Sequence, residues 1–274
     1  MTQPAPALSR IDYLGVPFEV DDSRPSDPAW FVLGVRKSGS TMFNRAAQLM
    51  AKFNAVNWVG VPDILFRANV NVTQWQSDPE SASLLRGGNV YGGFRNFPIG
   101  MSDAALFKDA QKVLLVRDPR DALVSEYFST AFTHSVPQAT GADGAREKLL
   151  EMREAALGMS ADQFALKGAE RMARTLSEYI PLLQDPRLLV YRYEDIIFDK
   201  QRLFRGTIEH FGWKLNDQQL ARILELVDVK PAAEQSTQFI RKVTPGDHRE
   251  KLSADTITEI TEVLAAGMRA FGYS

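Results

Sequence analysis

The chain has 274 residues, 45% of them hydrophobic and 24% charged, which is an ordinary globular composition for one large or two small domains. A formal net charge of −2 and a pI near 6.0 give no basic field that would draw a nucleic acid, so any anion site has to be built locally. The absence of cysteine excludes disulfides and thiolate metal centres and fits a cytoplasmic protein.

The opening segment MTQPAPALSR lacks the basic start and apolar run of a secretory signal. No apolar stretch approaches the roughly 20 residues that cross a bilayer, so no stable membrane anchor is expected. Residues 1–28 read as an N-terminal extension with a loosely held tail, ahead of a single domain.

Residues 30–35, WFVLGV, predict a buried strand that ends at Gly34. RKSGST turns the chain, and 42–53 place Met42, Ala46, Leu49, Met50 and Phe53 on one helical face. Residues 55–86 are weakly patterned, with VPDILFRA and SDPESASLLR reading as helical. NVYGGF at 89–94 is a candidate strand, and KVLLVRD at 112–118 a buried one. A helix follows from Pro119, a favoured first helical residue. The Gly-, Pro- and Ala-rich segment 134–145 is expected to be a mobile loop. Helices are predicted at 146–157 and 160–184, a strand at 187–195, and helices at 199–211, 216–227 and 254–271. Residues 228–252 are polar with little periodicity. Strands alternating with helices predict an α/β fold with a mainly parallel central sheet and helices on both faces. Ligands in such sheets sit beyond the C-terminal strand ends.

Three segments could carry chemistry. In GVRKSGST, residues 34–41, Gly34 and Gly39 keep the spacing of a nucleotide-hydrolysing loop, but Ser40 stands where its lysine belongs and Lys37 comes two residues before Gly39. A turn of this kind offers backbone N–H groups from Ser38 to Met42, the hydroxyls of Ser38, Ser40 and Thr41, and a positive helix end to an anion. The alternative is a plain strand–helix turn with a surface lysine. In RDPRDALVSEYF, Arg117 ends a strand and Ser125 lies eight residues on. A guanidinium fork and a hydroxyl suit a phosphate, although Arg117 could instead pair with Asp121. FIRKVTPGDHREKLS, residues 239–253, joins Arg241 and Lys242 to a Pro-Gly turn, and could be a solvated loop.

Taken together, Arg36–Met42, Arg117–Ser125 and Arg241–Lys242 resemble the sulfotransferase family, whose donor is 3′-phosphoadenosine 5′-phosphosulfate. RKSGST is similar to the family's P-K-S-G-[ST]-T loop, with Arg36 in place of proline. Arg117 and Ser125 match the family's pair on the 3′-phosphate. FIRKVTPGD resembles F-x-R-K-G-x-x-G-D-W, with Val243 for glycine and His248 for tryptophan. YRYED, residues 191–195, resembles a segment whose tyrosine, here Tyr193, lies near adenine. The resemblance runs over about 30–252 and implies a three-layer sulfotransferase fold. It implies that Arg36, Lys37, Ser38, Gly39, Ser40, Thr41, Met42, Arg117, Ser125, Tyr193, Arg241 and Lys242 bind the donor, with Lys37 at the bridging oxygen.

No metal is implied, because the strand-end partner of the loop is the cation Arg117 rather than a Mg²⁺-holding Asp. The acceptor is expected to be a small molecule, glycan or lipid head group, and a homodimer is left open. The family's usual histidine between the loop and the second motif is missing: VYGGFRNFP fills that place, and the three histidines are His134, His210 and His248. His134 is the substitute base, with Asp63 and Glu80 as carboxylate alternatives. Arg95, Phe94 and His134 are the candidate acceptor contacts. His210 is expected to pack under a helix end, and His248 to lie beside the nucleotide loop. Two rivals remain. A small-molecule kinase would want Lys after Gly39 and a strand-end Asp, and a non-catalytic nucleotide binder would not need Lys37.

Overall fold

The computed structural model describes residues 8–133, 145–227 and 243–274. It opens with an antiparallel hairpin, β1 (Leu8–Tyr13) and β2 (Val16–Asp21). Leu14 and Gly15 both have positive φ, 52° and 72°, as a two-residue hairpin turn requires. The extension is therefore not loose from Leu8 onward. Phe18 and Val20 are buried in the core, and the Tyr13 hydroxyl donates to Asp78 Oδ2 at 2.8 Å. Asp21 and Asn89 exchange hydrogen bonds at 2.8 and 2.9 Å, which docks the hairpin on the domain.

The central sheet has five parallel strands: β3 (Trp30–Gly34), β4 (Asn57–Val59), β5 (Asn89–Tyr91), β6 (Gln111–Val116) and β7 (Leu188–Arg192), in the order β4-β5-β3-β6-β7. The helices are α1 (Ser40–Phe53), α2 (Val61–Arg67), α3 (Val72–Trp75), α4 (Ala105–Asp109), α5 (Pro119–Phe128), α6 (Ala145–Leu157), α7 (Ala161–Tyr179), α8 (Tyr193–Ile196), α9 (Lys200–Phe211), α10 (Asp217–Val227), α11 (His248–Lys251) and α12 (Ala254–Ala270). Successive side chains of a strand point to opposite faces, and both faces here are covered. Trp30 and Val32 of β3, with Val113 and Leu115 of β6, pack on α1, α9 and α10. Phe31, Leu33, Leu114 and Val116 pack instead on α5, α7 and α12. That two-sided core is why the strands read as unbroken apolar runs.

Local chemistry moved several boundaries. The segment 89–94 is strand only to Tyr91, because Gly92 and Gly93 leave it, Gly93 at a φ of 87°. SDPESASLLR forms a 3-10 turn, Pro79–Leu84, capped by Asp78. The span 160–184 divides at Ile180–Gln184, a 3-10 turn containing Pro181. The strand expected at 187–195 stops at Arg192, and Tyr193–Ile196 makes one helical turn. No described helix is long and apolar enough to cross a membrane.

Candidate functional site

β3 has β5 on one side and β6 on the other, so the loop after β3 opens at the point where the strand order reverses. Val35 N donates to Leu115 O at 3.0 Å, and Ser38 N donates back to Val35 O at 3.1 Å, closing the turn. Two residues take the left-handed backbone there: Gly39, at φ 89°, and Lys37, at φ 66°. Such a conformation is uncommon for lysine and is held by the surrounding structure. A Cβ on Gly39 would come within 3.0 Å of the Tyr193 ring, so the position needs glycine for space as well as for backbone.

Gly39 precedes the 14-residue helix α1 with no side-chain cap and no acidic residue in the first turn. The N-terminal N–H groups and the positive dipole end are thus not neutralised by side chains of the helix itself. Ser38 Oγ is buried without a hydrogen-bond partner. Ser40 is buried, while Thr41 and Met42 are half-buried. The Lys37 amine is pushed down to about 8, first by burial and then by the neighbouring Arg36.

Arg117 follows β6 directly, and Asp118 caps α5 by accepting from Arg120 N at 2.9 Å. The Arg117 guanidinium lies 4.5 Å from the centre of the Tyr193 ring, and Nη1 donates to Lys37 O at 3.4 Å. Nη2 stands 3.7 Å from Asp121 Oδ2, while Nε is buried without a partner. The Arg117–Asp121 pairing thus exists, but in a buried setting beside the loop. Ser125, two turns along α5, is half-buried. Glu194 accepts from Asp118 N and from the Tyr273 hydroxyl, each at 2.9 Å, and so orders the entry to α5.

Tyr193 also donates from its hydroxyl to Val243 O at 2.9 Å. Asp121 accepts from Gly246 N at 2.7 Å, from His248 N at 2.9 Å and has His248 Nδ1 at 2.6 Å. Burial opposes the charge on Asp121, yet His248 and Arg117 hold its carboxyl far below the usual range. The three segments picked out in the sequence thus meet at the C-terminal strand ends as far as the third is described. Arg241, Lys242 and His134 lie outside the described residues, as does the expected loop 134–145 except Ala145, which opens α6.

Of the residues expected at the acceptor, Arg95 donates from Nη1 to Asp63 Oδ1 at 2.9 Å and to Gly93 O at 3.1 Å. Arg95 and Asp63 are both partly exposed, and the Arg95 charge is among those that depress Lys37. Phe94 is not an open contact: it is buried in the core against Phe31 and Trp75. Glu80 is exposed on the Pro79–Leu84 turn. His210 sits in the last turn of α9, with Nε2 within 3.1 Å of Lys112 O and 3.0 Å of Arg187 O.

One partnership was not foreseen. Arg36 Nε meets Glu126 Oε1 at 2.9 Å, and Arg171 Nη2 meets Glu126 Oε2 at 2.8 Å. Arg36 is therefore committed to a buried carboxylate beside Ser125. The only sequence signal was an arginine where the related loop has proline.

The sulfotransferase domain family matches residues 27–272. The chain belongs to that family. Among solved structures it is similar to a mouse sulfotransferase, SULT7A1, in complex with PAP, at 13% identity and a TM-score of 0.59, with 95% of each chain covered. It is also similar to a retinol dehydratase in complex with retinol and PAP, at 14% identity and a TM-score of 0.51, covering 96% of this chain and 90% of that one. At such identities the likeness is one of fold. No curated protein matches the sequence.

Proposed function

We propose that the protein transfers a sulfuryl group from 3′-phosphoadenosine 5′-phosphosulfate to a hydroxyl or amine of a small acceptor. The observation that carries this reading is the pair of buried, unpartnered polar atoms, Ser38 Oγ and Arg117 Nε, one in each of the two anion-binding motifs. A buried donor without a partner costs stability, of the order of 1–3 kcal/mol, and an anionic ligand between the motifs would relieve it. In this reading the α1 N-terminus, Ser38, Ser40 and Thr41 hold the 5′ end, and Arg117 and Ser125 hold the 3′-phosphate. Arg241 and Lys242 add charge there, and Tyr193 borders the base. Met42 and Gly39 contribute backbone N–H groups, and Arg36 contributes its backbone while its side chain serves Glu126.

The acceptor oxygen forms the new bond to sulfur as the bond from sulfur to the 5′-phosphate oxygen breaks. In this reading Lys37 neutralises the charge gathering on that leaving oxygen, and fixed positive charge of this kind does most to lower the barrier of such a transfer. The proton of the acceptor goes to a base, for which His134 and Asp63 are the candidates; Arg95 orients Asp63 and would favour an anionic acceptor. No divalent cation is asked for, since Lys37 and Arg117 already supply positive charge. The structures similar in fold include complexes with retinol and androsterone, which supports a small-molecule acceptor here as well. A kinase fits less well: Ser40 stands in the place of its lysine, and the carboxylate next to the strand end, Asp118, is occupied by Arg120 at 2.7 Å.

The test is transfer of labelled sulfate from the donor to a panel of phenols, steroids, sugars and amines. Label in an organic product, lost in Lys37→Ala, supports the reading. Phosphate transfer from ATP to the same panel would replace it with the kinase.

A further inference from the structure

Six residues close a ring behind the nucleotide motifs. Arg117 lies on the Tyr193 ring at 4.5 Å, and the Tyr193 hydroxyl donates to Val243 O at 2.9 Å. A few residues on, Gly246 N and His248 N both donate to the Asp121 carboxylate, which returns to Arg117 at 3.7 Å. Asp121 is 1% exposed and His248 2%, so the contacts are shielded from water. The His248 ring adds the shortest contact, Nδ1 to Asp121 Oδ1 at 2.6 Å. One carboxylate therefore fixes two things at once: the direction of the Arg117 fork, and the place of the Gly246–His248 turn.

We propose that Asp121, with His248 as its buried partner, is a positioning residue that sets selectivity for a nucleotide carrying a 3′-phosphate. The inference rests on the donor reading above, and concerns how that donor is told from ordinary adenine nucleotides. Arg117 has several ways to point. A buried carboxylate behind it restricts the fork to one, which spares a ligand the cost of ordering it. Asp121 itself would repel a phosphate, so it acts only through the groups it holds. Hydrogen bonds to a charged group are the stronger kind, and this carboxylate accepts from two backbone N–H groups.

The groups facing the pair are Arg117 on the same strand–helix junction, and the N–H groups of Gly246 and His248 from the last segment. Asp121→Asn keeps the size and removes the charge. His248→Phe keeps a ring and removes the ring donor, and His248→Asn keeps a donor near the Nδ1 position.

The experiment compares affinity for adenosine 3′,5′-bisphosphate with that for adenosine 5′-monophosphate, by calorimetry on the full chain. In the unaltered protein the bisphosphate binds more tightly. Asp121→Asn is expected to weaken the bisphosphate by about tenfold or more while the monophosphate stays within about twofold. His248→Phe should do the same to a lesser degree, and His248→Asn should recover part of the loss. A general loss of fold would weaken both ligands alike, so the ratio separates positioning from stability. A preference ratio unchanged in both Asp121→Asn and His248→Phe would overturn the inference while leaving the donor reading standing. Equal binding of the two nucleotides by the unaltered protein would overturn the donor reading, and the inference with it. If Asp121→Asn does not fold, His248→Phe decides the matter by the same ratio.

Discussion

Arg36 is bound to Glu126 at 2.9 Å, and this contact explains why an arginine stands where the related loop carries proline. Proline would stiffen the turn through its ring. Here the turn is held instead from outside, by a carboxylate on α5 that is 1% exposed at its side chain and is shared with Arg171. Burial works against the charge on Glu126, but Arg36 and then Arg171 outweigh it and hold its pKa below the ordinary value.

Replacing Glu126 by Gln should therefore leave two guanidinium groups without a counter-charge. Breaking a buried pair costs about 3 kcal/mol, the low end of the usual range because Arg171 reaches solvent. At about 2–4 °C per kcal/mol the melting temperature falls by roughly 6–12 °C. The sign with pH follows from the depressed pKa. The contribution is present above the unfolded-state pKa and is lost as pH falls through the folded one, so the gap between the two proteins should narrow in acid. Melting curves at neutral pH and near pH 4 check both parts.

Lys37 gives a second pH dependence, at the other end of the scale. Its amine titrates near 8 in the free protein, so it is charged at neutral pH and loses its proton above that. kcat/KM for the donor, which reports the free enzyme, should fall by about tenfold per pH unit above that point. Lys37→Arg should remove this alkaline limb, at a lower plateau, because guanidinium stays charged and has a different shape. A profile flat to pH 10 in the unaltered protein would count against a charged Lys37 as the group acting on the leaving oxygen.

The alternation of apolar runs with helical faces made the layered architecture legible, since strands covered on both sides must be apolar throughout. Lys37 and Arg117 could be picked out because each sits at a strand end, where a backbone turn hands the chain to a helix, whereas Tyr193 was found only through the resemblance of YRYED to a family segment. β4 was missed because three residues carry no period, and the hairpin at Leu8–Asp21 because its turn, Leu14-Gly15, has only one of the usual turn residues. The distant contacts of Glu126 and Asp121 could not have been assigned, although Asp121 could be named as a local partner of Arg117. Each acts on partners at a distance in sequence, Arg36 and Arg171 for one, Gly246 and His248 for the other. Such contacts are set by how α5 lies across the sheet, which no local pattern encodes. Phe94 was a candidate acceptor contact beside Arg95, yet after the Gly92–Gly93 turn its ring lies in the core against Phe31 and Trp75.

The proposed function makes Ser38 and Arg117 contacts of a doubly phosphorylated adenosine. That assignment is tested most directly by titrating the protein with adenosine 3′,5′-bisphosphate in the absence of Mg²⁺, beside ATP with Mg²⁺. Tighter binding of the bisphosphate is expected, weakened by about tenfold or more in Arg117→Ala, since a charged hydrogen-bond fork is lost. Preference for ATP with Mg²⁺, or a bisphosphate affinity indifferent to Arg117, would contradict it.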